Sequence, residues 1–125
     1  MFLLVLLIGL SEGRVFFWPI AHVHIKNELL NGINLELQCK SKDDDLGIHI
    51  VPAGNEYQFQ FRPNYFGTTL FYCGLVWDGP VHTLDAYVYQ RDNDLCIKDC
   101  YWLIYETQAC LRYDNSTSLR CHKWT

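Results

Sequence analysis

The chain of 125 residues fits one domain, and its 50% hydrophobic and 15% aromatic content excludes a disordered polypeptide. A formal net charge of −4, with 10 basic against 14 acidic side chains, leaves no basic footprint for nucleic acid or an anionic membrane.

The first element is the apolar block MFLLVLLIGLSEG. We read residues 1–13 as a secretory signal peptide with its apolar core over Phe2 to Leu10 and cleavage near Gly13, or as late as Ala21. The block is too short to span a bilayer, so no membrane insertion is expected. A buried first strand is the competing reading. The folded domain then covers residues 22–125.

From Ala21 onward the hydrophobic period is two. In HVHIKN, Val23 and Ile25 oppose His22, His24 and Lys26; in GINLELQCK, Ile33, Leu35, Leu37 and Cys39 share a face. Asn31-Gly32 between these runs suits a tight hairpin turn. GIHIV is followed by Pro52 and Gly54, and NEYQFQFRP alternates Tyr57, Phe59 and Phe61 with Gln58, Gln60 and Arg62. TLFYCGLVW is apolar on both faces and belongs in the middle of a sheet. Asp78-Gly79-Pro80 ends it, VHTLDAYVYQ follows, and Arg91 to Asp94 form a turn or loop. CYWLIYE, a segment through Cys110 and a tail strand around Leu119 to His122 complete the chain. The expected fold is all-β, a small disulfide-braced antiparallel β-sandwich, immunoglobulin-like in architecture, with roughly seven or eight strands. An up-and-down barrel has the same strand count. Trp77, Trp102 and Trp124 are expected in the core or at its edge.

Six cysteines, at 39, 73, 96, 100, 110 and 121, behind a leader read as three disulfides, for which about fifteen pairings exist. A zinc site is the weaker alternative: Cys96 and Cys100 have near-ligand spacing and His122 follows Cys121, but the paired two-residue spacings are missing.

Asp43, Asp44 and Asp45 raise the question of a metal. An EF-hand counted from Asp43 would need glycine sixth and glutamate twelfth; Gly47 stands fifth and Gly54 twelfth. A solvated strand connection shaped by Gly47 is expected instead. His22 and His24 share a strand face and so could meet a common ligand. His82 with Asp85 could support acid–base work, as many surface pairs could, and no nucleophile elbow, phosphate loop or HExxH motif occurs. No catalytic residue, metal or cofactor is assigned. Asn115-Ser116-Thr117 is a glycosylation sequon in a polar loop.

Residues 39–77, CKSKDDDLGIHIVPAGNEYQFQFRPNYFGTTLFYCGLVW, resemble the signature region of the plant self-incompatibility S1 family, the S-protein homologues. HTLDAYVYQRDND, CIKDCYW, Cys110 and the closing Cys121-His-Lys-Trp124 extend the resemblance over residues 22 to 125. It implies a small secreted plant protein with a disulfide-held β-sandwich. The founding poppy members are stigma-secreted determinants that meet a pollen partner and trigger calcium-dependent arrest of self pollen. Cys39, Cys73, Cys100 and Cys110 match the family's widely shared cysteines, and Cys96 and Cys121 an extra pair in some homologues. By that carry-over the expected bridges are Cys96–Cys121, Cys39–Cys110 and Cys73–Cys100. Where family members often have Gly-Pro before the cysteine matched by Cys110, this chain has Thr107-Gln108-Ala109.

The expected function is that of a secreted, non-enzymatic signalling ligand recognised by a plasma-membrane receptor. Its contacts are sought at Asp43 to Asp45 and in the loops around Gly79, Asn93 and Asn115. A monomer is expected. The alternative is a carbohydrate-binding or wall-associated module using Tyr65, Tyr87, Tyr89 or Trp124 as stacking platforms; a secreted hydrolase is the third reading.

Overall fold

The structure, a computed structural model, describes residues 19–64, 66–114 and 116–125. The leader expected over residues 1–13, the stacking candidate Tyr65 and the sequon residue Asn115 lie outside the described residues.

Among the described residues nine strands and one helical turn follow in order: β1 (Ala21–Asn27), β2 (Leu35–Lys40), β3 (Asp45–Val51), β4 (Glu56–Phe61), β5 (Leu70–Val76), β6 (Val81–Val88), α1 (Tyr89–Asp92), β7 (Asp99–Ile104), β8 (Gln108–Tyr113) and β9 (Arg120–Lys123). They form a five-stranded sheet, β4-β1-β7-β8-β9, and a four-stranded sheet, β3-β2-β5-β6, that pack together. The strands thus exceed the seven or eight expected. The sheets are antiparallel except where β1 runs parallel to β7, with Val23 opposite Cys100 and Ile25 opposite Trp102. Alternation reports which face a side chain takes, not the direction of the neighbouring strand, so this pair left no mark in the pattern.

The inner faces carry the residues the period of two selects. Val23, Ile25, Trp102, Ile104 and Leu111 meet Leu35, Leu37, Leu75, Leu84 and Ala86 in one buried core. Each fully buried large apolar side chain contributes about 1.5–3 kcal/mol. The Trp102 indole N–H reaches across to the carbonyl of Ala86 at 2.9 Å, tying one sheet to the other. β5 has β2 on one side and β6 on the other, as its apolar sequence predicts. Phe59, Phe61, Phe71 and Tyr87 fill one end, with ring centroids 4.5–5.1 Å apart for Phe61–Phe71, Phe61–Tyr87 and Phe59–Phe71.

Asn31-Gly32 is not a hairpin turn. Both residues have positive φ, 61° and 69°, but the segment carries the chain from one sheet to the other. Asn27, fully buried, holds the crossing. Its amide donates to the carbonyls of Ile33 (2.8 Å) and Val51 (2.9 Å), and its Oδ1 accepts the Leu29 N–H at 2.8 Å. All the amide's hydrogen-bonding atoms are engaged, which makes burial of a polar side chain tolerable.

The three bridges are Cys39–Cys73, Cys96–Cys100 and Cys110–Cys121, which corrects the pairing carried over from the family. Register decides it. Cys39 faces Cys73 across β2 and β5, and Cys110 faces Cys121 across β8 and β9, each with Cα atoms 4.0 Å apart. Cys39 points into the core, whereas Cys110 lies on the outer face of the other sheet, so the expected Cys39–Cys110 bridge would have to pass through β8.

Candidate recognition surfaces

The triple aspartate divides in two. Asp43 and Asp44 are exposed in the β2–β3 connection, where Ser41 N–H donates to the Asp44 carbonyl at 2.8 Å and Asp44 N–H to Ser41 Oγ at 3.1 Å. Asp45 instead begins β3, correcting its placement in the connection. Its carboxylate accepts the Gln38 amide at 3.0 Å and the Gly47 N–H at 2.9 Å. The Gln38 hydrogen bond first, then the Gly47 N–H, and last the charge of Lys40 hold this carboxyl below its ordinary range, against a small opposing effect of burial. Gly47 has φ +83°, a left-handed conformation that residues with a Cβ resist.

Asp43 and Asp44 border a depression of about 410 Å³ shared with Asn64, Thr68, Leu70 and Tyr72. Phe66, 87% exposed, stands in the same β4–β5 loop. Asn93 lies at this end too, in a shallow recess with Pro63, and donates from its side chain to the Tyr89 carbonyl at 2.7 Å. Gly79, in the β5–β6 connection, is at the opposite end. The structure therefore brings Asp43, Asp44 and Asn93 to one end and separates Gly79 from them.

The histidines do not converge. His24 is buried on the outer face of the five-stranded sheet, with Nδ1 at 2.6 Å from Glu56 Oε2 and Nε2 at 2.9 Å from Asp99 Oδ1. Its ring stacks on Tyr101 at 4.3 Å, and Arg112 covers the same tyrosine at 4.2 Å. With both nitrogens engaged, His24 offers nothing to a ligand shared with His22, whose Nδ1 approaches the Lys98 carbonyl at 3.3 Å. His49 bonds the Leu46 carbonyl at 2.8 Å and stacks on Tyr57. No hydrogen bond joins His82 to Asp85; His82 lies flat on Trp77, centroids 4.2 Å apart and planes 7° from parallel. Among the described residues no group of three or more His, Cys, Asp or Glu is placed to hold a metal.

Of the stacking candidates, Tyr87 is buried, and burial first, then the charge of Asp92, push its hydroxyl up to about 12. Tyr89 is partly buried against the core. Trp124 borders a groove of about 430 Å³ between β6 and β9, with His82, Thr83, Asp85, His122 and Lys123. β9 is the edge strand of the five-stranded sheet and β6 the edge strand of the four-stranded one, and the groove opens between these two edges. Sequence reading missed this groove, since it depends on Trp77, His82 and Trp124 meeting from separate parts of the chain. It also missed Asp92, expected in a turn or loop and found fully buried in α1.

Comparison with known proteins decides the family. The model of the plant self-incompatibility protein S1 family matches residues 22–124. The chain belongs to this family. It is 43% identical over 110 residues to S-protein homolog 5 of Arabidopsis thaliana, covering 87% of this chain and 84% of that one. It is 40% identical over 100 residues to self-incompatibility protein S1 of Papaver rhoeas, covering 78% and 70%. A solved structure described as that of self-incompatibility protein homologues, small, highly stable, secreted proteins from plants, superposes with a TM-score of 0.65. It is 18% identical and covers 85% of this chain and 95% of the other. Membership makes the chain a secreted, non-enzymatic plant protein of the recognition and signalling kind. Among the described residues no helix is long and apolar enough to cross a membrane.

Proposed function

We propose that this S-protein homologue is an extracellular ligand whose receptor, a plasma-membrane protein, contacts the end of the sandwich formed by the β2–β3 and β4–β5 loops. The observation that carries the reading is the pairing of an exposed aromatic, Phe66, with two exposed carboxylates, Asp43 and Asp44, on adjoining loops. An aromatic anchor beside charges is the composition of a recognition patch, and the carboxylates favour a basic receptor surface through steering and rejection of acidic ones. Cys39–Cys73 cross-links β2 to β5 just behind both loops, so little ordering entropy remains to be lost on binding.

The rest of the reading follows the same lines. Residues 1–13 act as the signal peptide, Asn115 accepts a glycan, and the ligand is a monomer with no nucleic-acid partner. Two packed sheets presenting loops at their ends support an immunoglobulin-like description of the architecture. The test is crosslinking of the labelled, oxidised protein to living plant cells, pollen included. A saturable protein partner is expected, with capture strongly reduced by Asp43→Lys with Asp44→Lys and by Phe66→Ala. Capture that is unsaturable, or unchanged in both variants, overturns the assignment of this surface.

A further inference from the structure

We propose that the groove between β6 and β9 is a saccharide site, in which a pyranose ring lies against Trp124 and His82 while its hydroxyls meet the polar rim. The inference is independent of the receptor reading, whose surface is at the opposite end of the sandwich.

Three observations carry it. The groove, about 430 Å³, is within the range of small-molecule sites and arises from the fold itself, because it lies between β6 and β9, the edge strands of the two sheets, with Ala109 and its partner His122 in its lining. Its aromatic wall is fixed before any ligand arrives. His82 is clamped on Trp77, while Trp124 leans on both rings at centroid distances of 5.1 and 5.8 Å. The Trp124 indole N–H donates to the Tyr105 carbonyl at 2.9 Å, and its backbone N–H to Thr107 at 3.2 Å. A wall already ordered by these bonds loses little entropy on binding.

The rim supplies the third observation. Thr83, Asp85, His122 and Lys123 are exposed, line the groove and make no side-chain hydrogen bond or ion pair among the described residues. His82 Nδ1 is buried without a partner among those residues, an uncommon state for an imidazole nitrogen. This set holds donors and acceptors of both charges around a flat aromatic surface. A ligand with an apolar face and a belt of hydroxyls satisfies both halves. An apolar peptide would desolvate Asp85 and Lys123 without pairing them. Lys123 adds a preference for a sugar bearing a carboxylate.

The experiment is an NMR titration of the isotope-labelled, oxidised protein with a cello-oligosaccharide as neutral probe and an oligogalacturonide as acidic probe. Saturable shifts are expected at residues 81–85 and 122–124 and at the Trp124 indole. Trp124→Ala should weaken binding by about tenfold or more, the scale of a lost ring stack, with part of the affinity recovered in Trp124→Phe. Lys123→Gln should weaken the acidic probe alone by several fold. Asp85→Ala, at an exposed position that leaves the core intact, should weaken both probes. If neither probe shifts these residues in the wild-type protein, or if the shifts persist unchanged in Asp85→Ala and Trp124→Phe binds no better than Trp124→Ala, the saccharide site is overturned. Loss of cell-surface crosslinking with intact sugar binding would count against the receptor reading alone.

Discussion

Arg91 closes a two-pronged ion pair on its neighbour Asp92: Nε reaches Oδ1 and a terminal nitrogen reaches Oδ2, each at 2.7 Å. Asp92 is fully buried, accepts the Val88 N–H at 2.8 Å as well, and so stops β6 and starts α1. The same guanidinium donates to the Asp85 carbonyl at 2.9 Å and sits 5.5 Å from the Trp102 ring centroid. Removing the acid leaves a partly buried cation and an unpaired backbone donor. Asp92→Ala should therefore lower unfolding free energy by about 3–5 kcal/mol, read from the urea midpoint at unchanged slope. Replacing both residues, Arg91→Met with Asp92→Leu, should recover much of that loss, because no charge is then stranded. Equal destabilisation by the single and double changes would refute this account.

The bridges close loops of different lengths, with sequence separations of 34 for Cys39–Cys73, 11 for Cys110–Cys121 and 4 for Cys96–Cys100. A cross-link restrains the unfolded chain more as its loop grows, and typical bridges contribute about 2–4 kcal/mol. Paired serine replacements should thus destabilise in the order Cys39/Cys73, then Cys110/Cys121, then Cys96/Cys100. Thermal unfolding of the three variants checks the order. Peptide mapping without reduction checks the connectivity; a peptide joining Cys39 to Cys110 would refute it.

What could be read in advance divides along one physical line. Tyr57, Phe59 and Phe61 turn toward the core and Gln58 and Gln60 away from it because the period of two sets the face locally. Asn31-Gly32 misled because a turn signal is local as well, whereas the sheet that β1 joins is set by β4 and β7 far along the chain. The cysteine pairing carried over from the family failed because Cys39 meets Cys73 through strand register, which the order of cysteines along a chain does not specify. Asp43 and Asp44 were legible as an exposed connection, but Asp45 was not, because its partner Gln38 lies across the hairpin. The groove at Trp124 needed Trp77 and His82 brought to it by β5 and β6.

Asn27 offers a test of the crossing between sheets. Asn27→Leu is close in size but strips the carbonyls of Ile33 and Val51 and the N–H of Leu29 of their partners. Leaving buried groups unpaired costs about 1–3 kcal/mol each, so a loss of at least about 2 kcal/mol is expected. Hydrogen exchange at Leu29 should rise more than the global loss of stability explains, because that amide is directly released. A uniform rise over all amides would mean that Asn27 contributes only to global packing.

The β2–β3 connection separates architecture from surface. Gly47→Ala places a Cβ at φ +83°, a region costing roughly 1–2 kcal/mol for L-residues, although the nearest atom to that Cβ is His49 Nε2 at 3.9 Å. Strain, not collision, is then the cause, and Gly47→Asn should be the milder change. Asp43→Asn and Asp44→Asn, in solvent, should stay within about 0.5 kcal/mol of the parent. Asp45→Asn tests the lowered carboxyl. A carboxyl whose folded value is below its unfolded one stabilises the fold above the unfolded value, and that stabilisation is lost as pH falls through the folded one. The gap in stability between parent and Asp45→Asn should thus be constant near neutrality and shrink below about pH 4. Urea unfolding at a series of pH values measures it. A gap that stayed constant into strong acid would show that the Gln38 and Gly47 hydrogen bonds do not depend on the charge of Asp45.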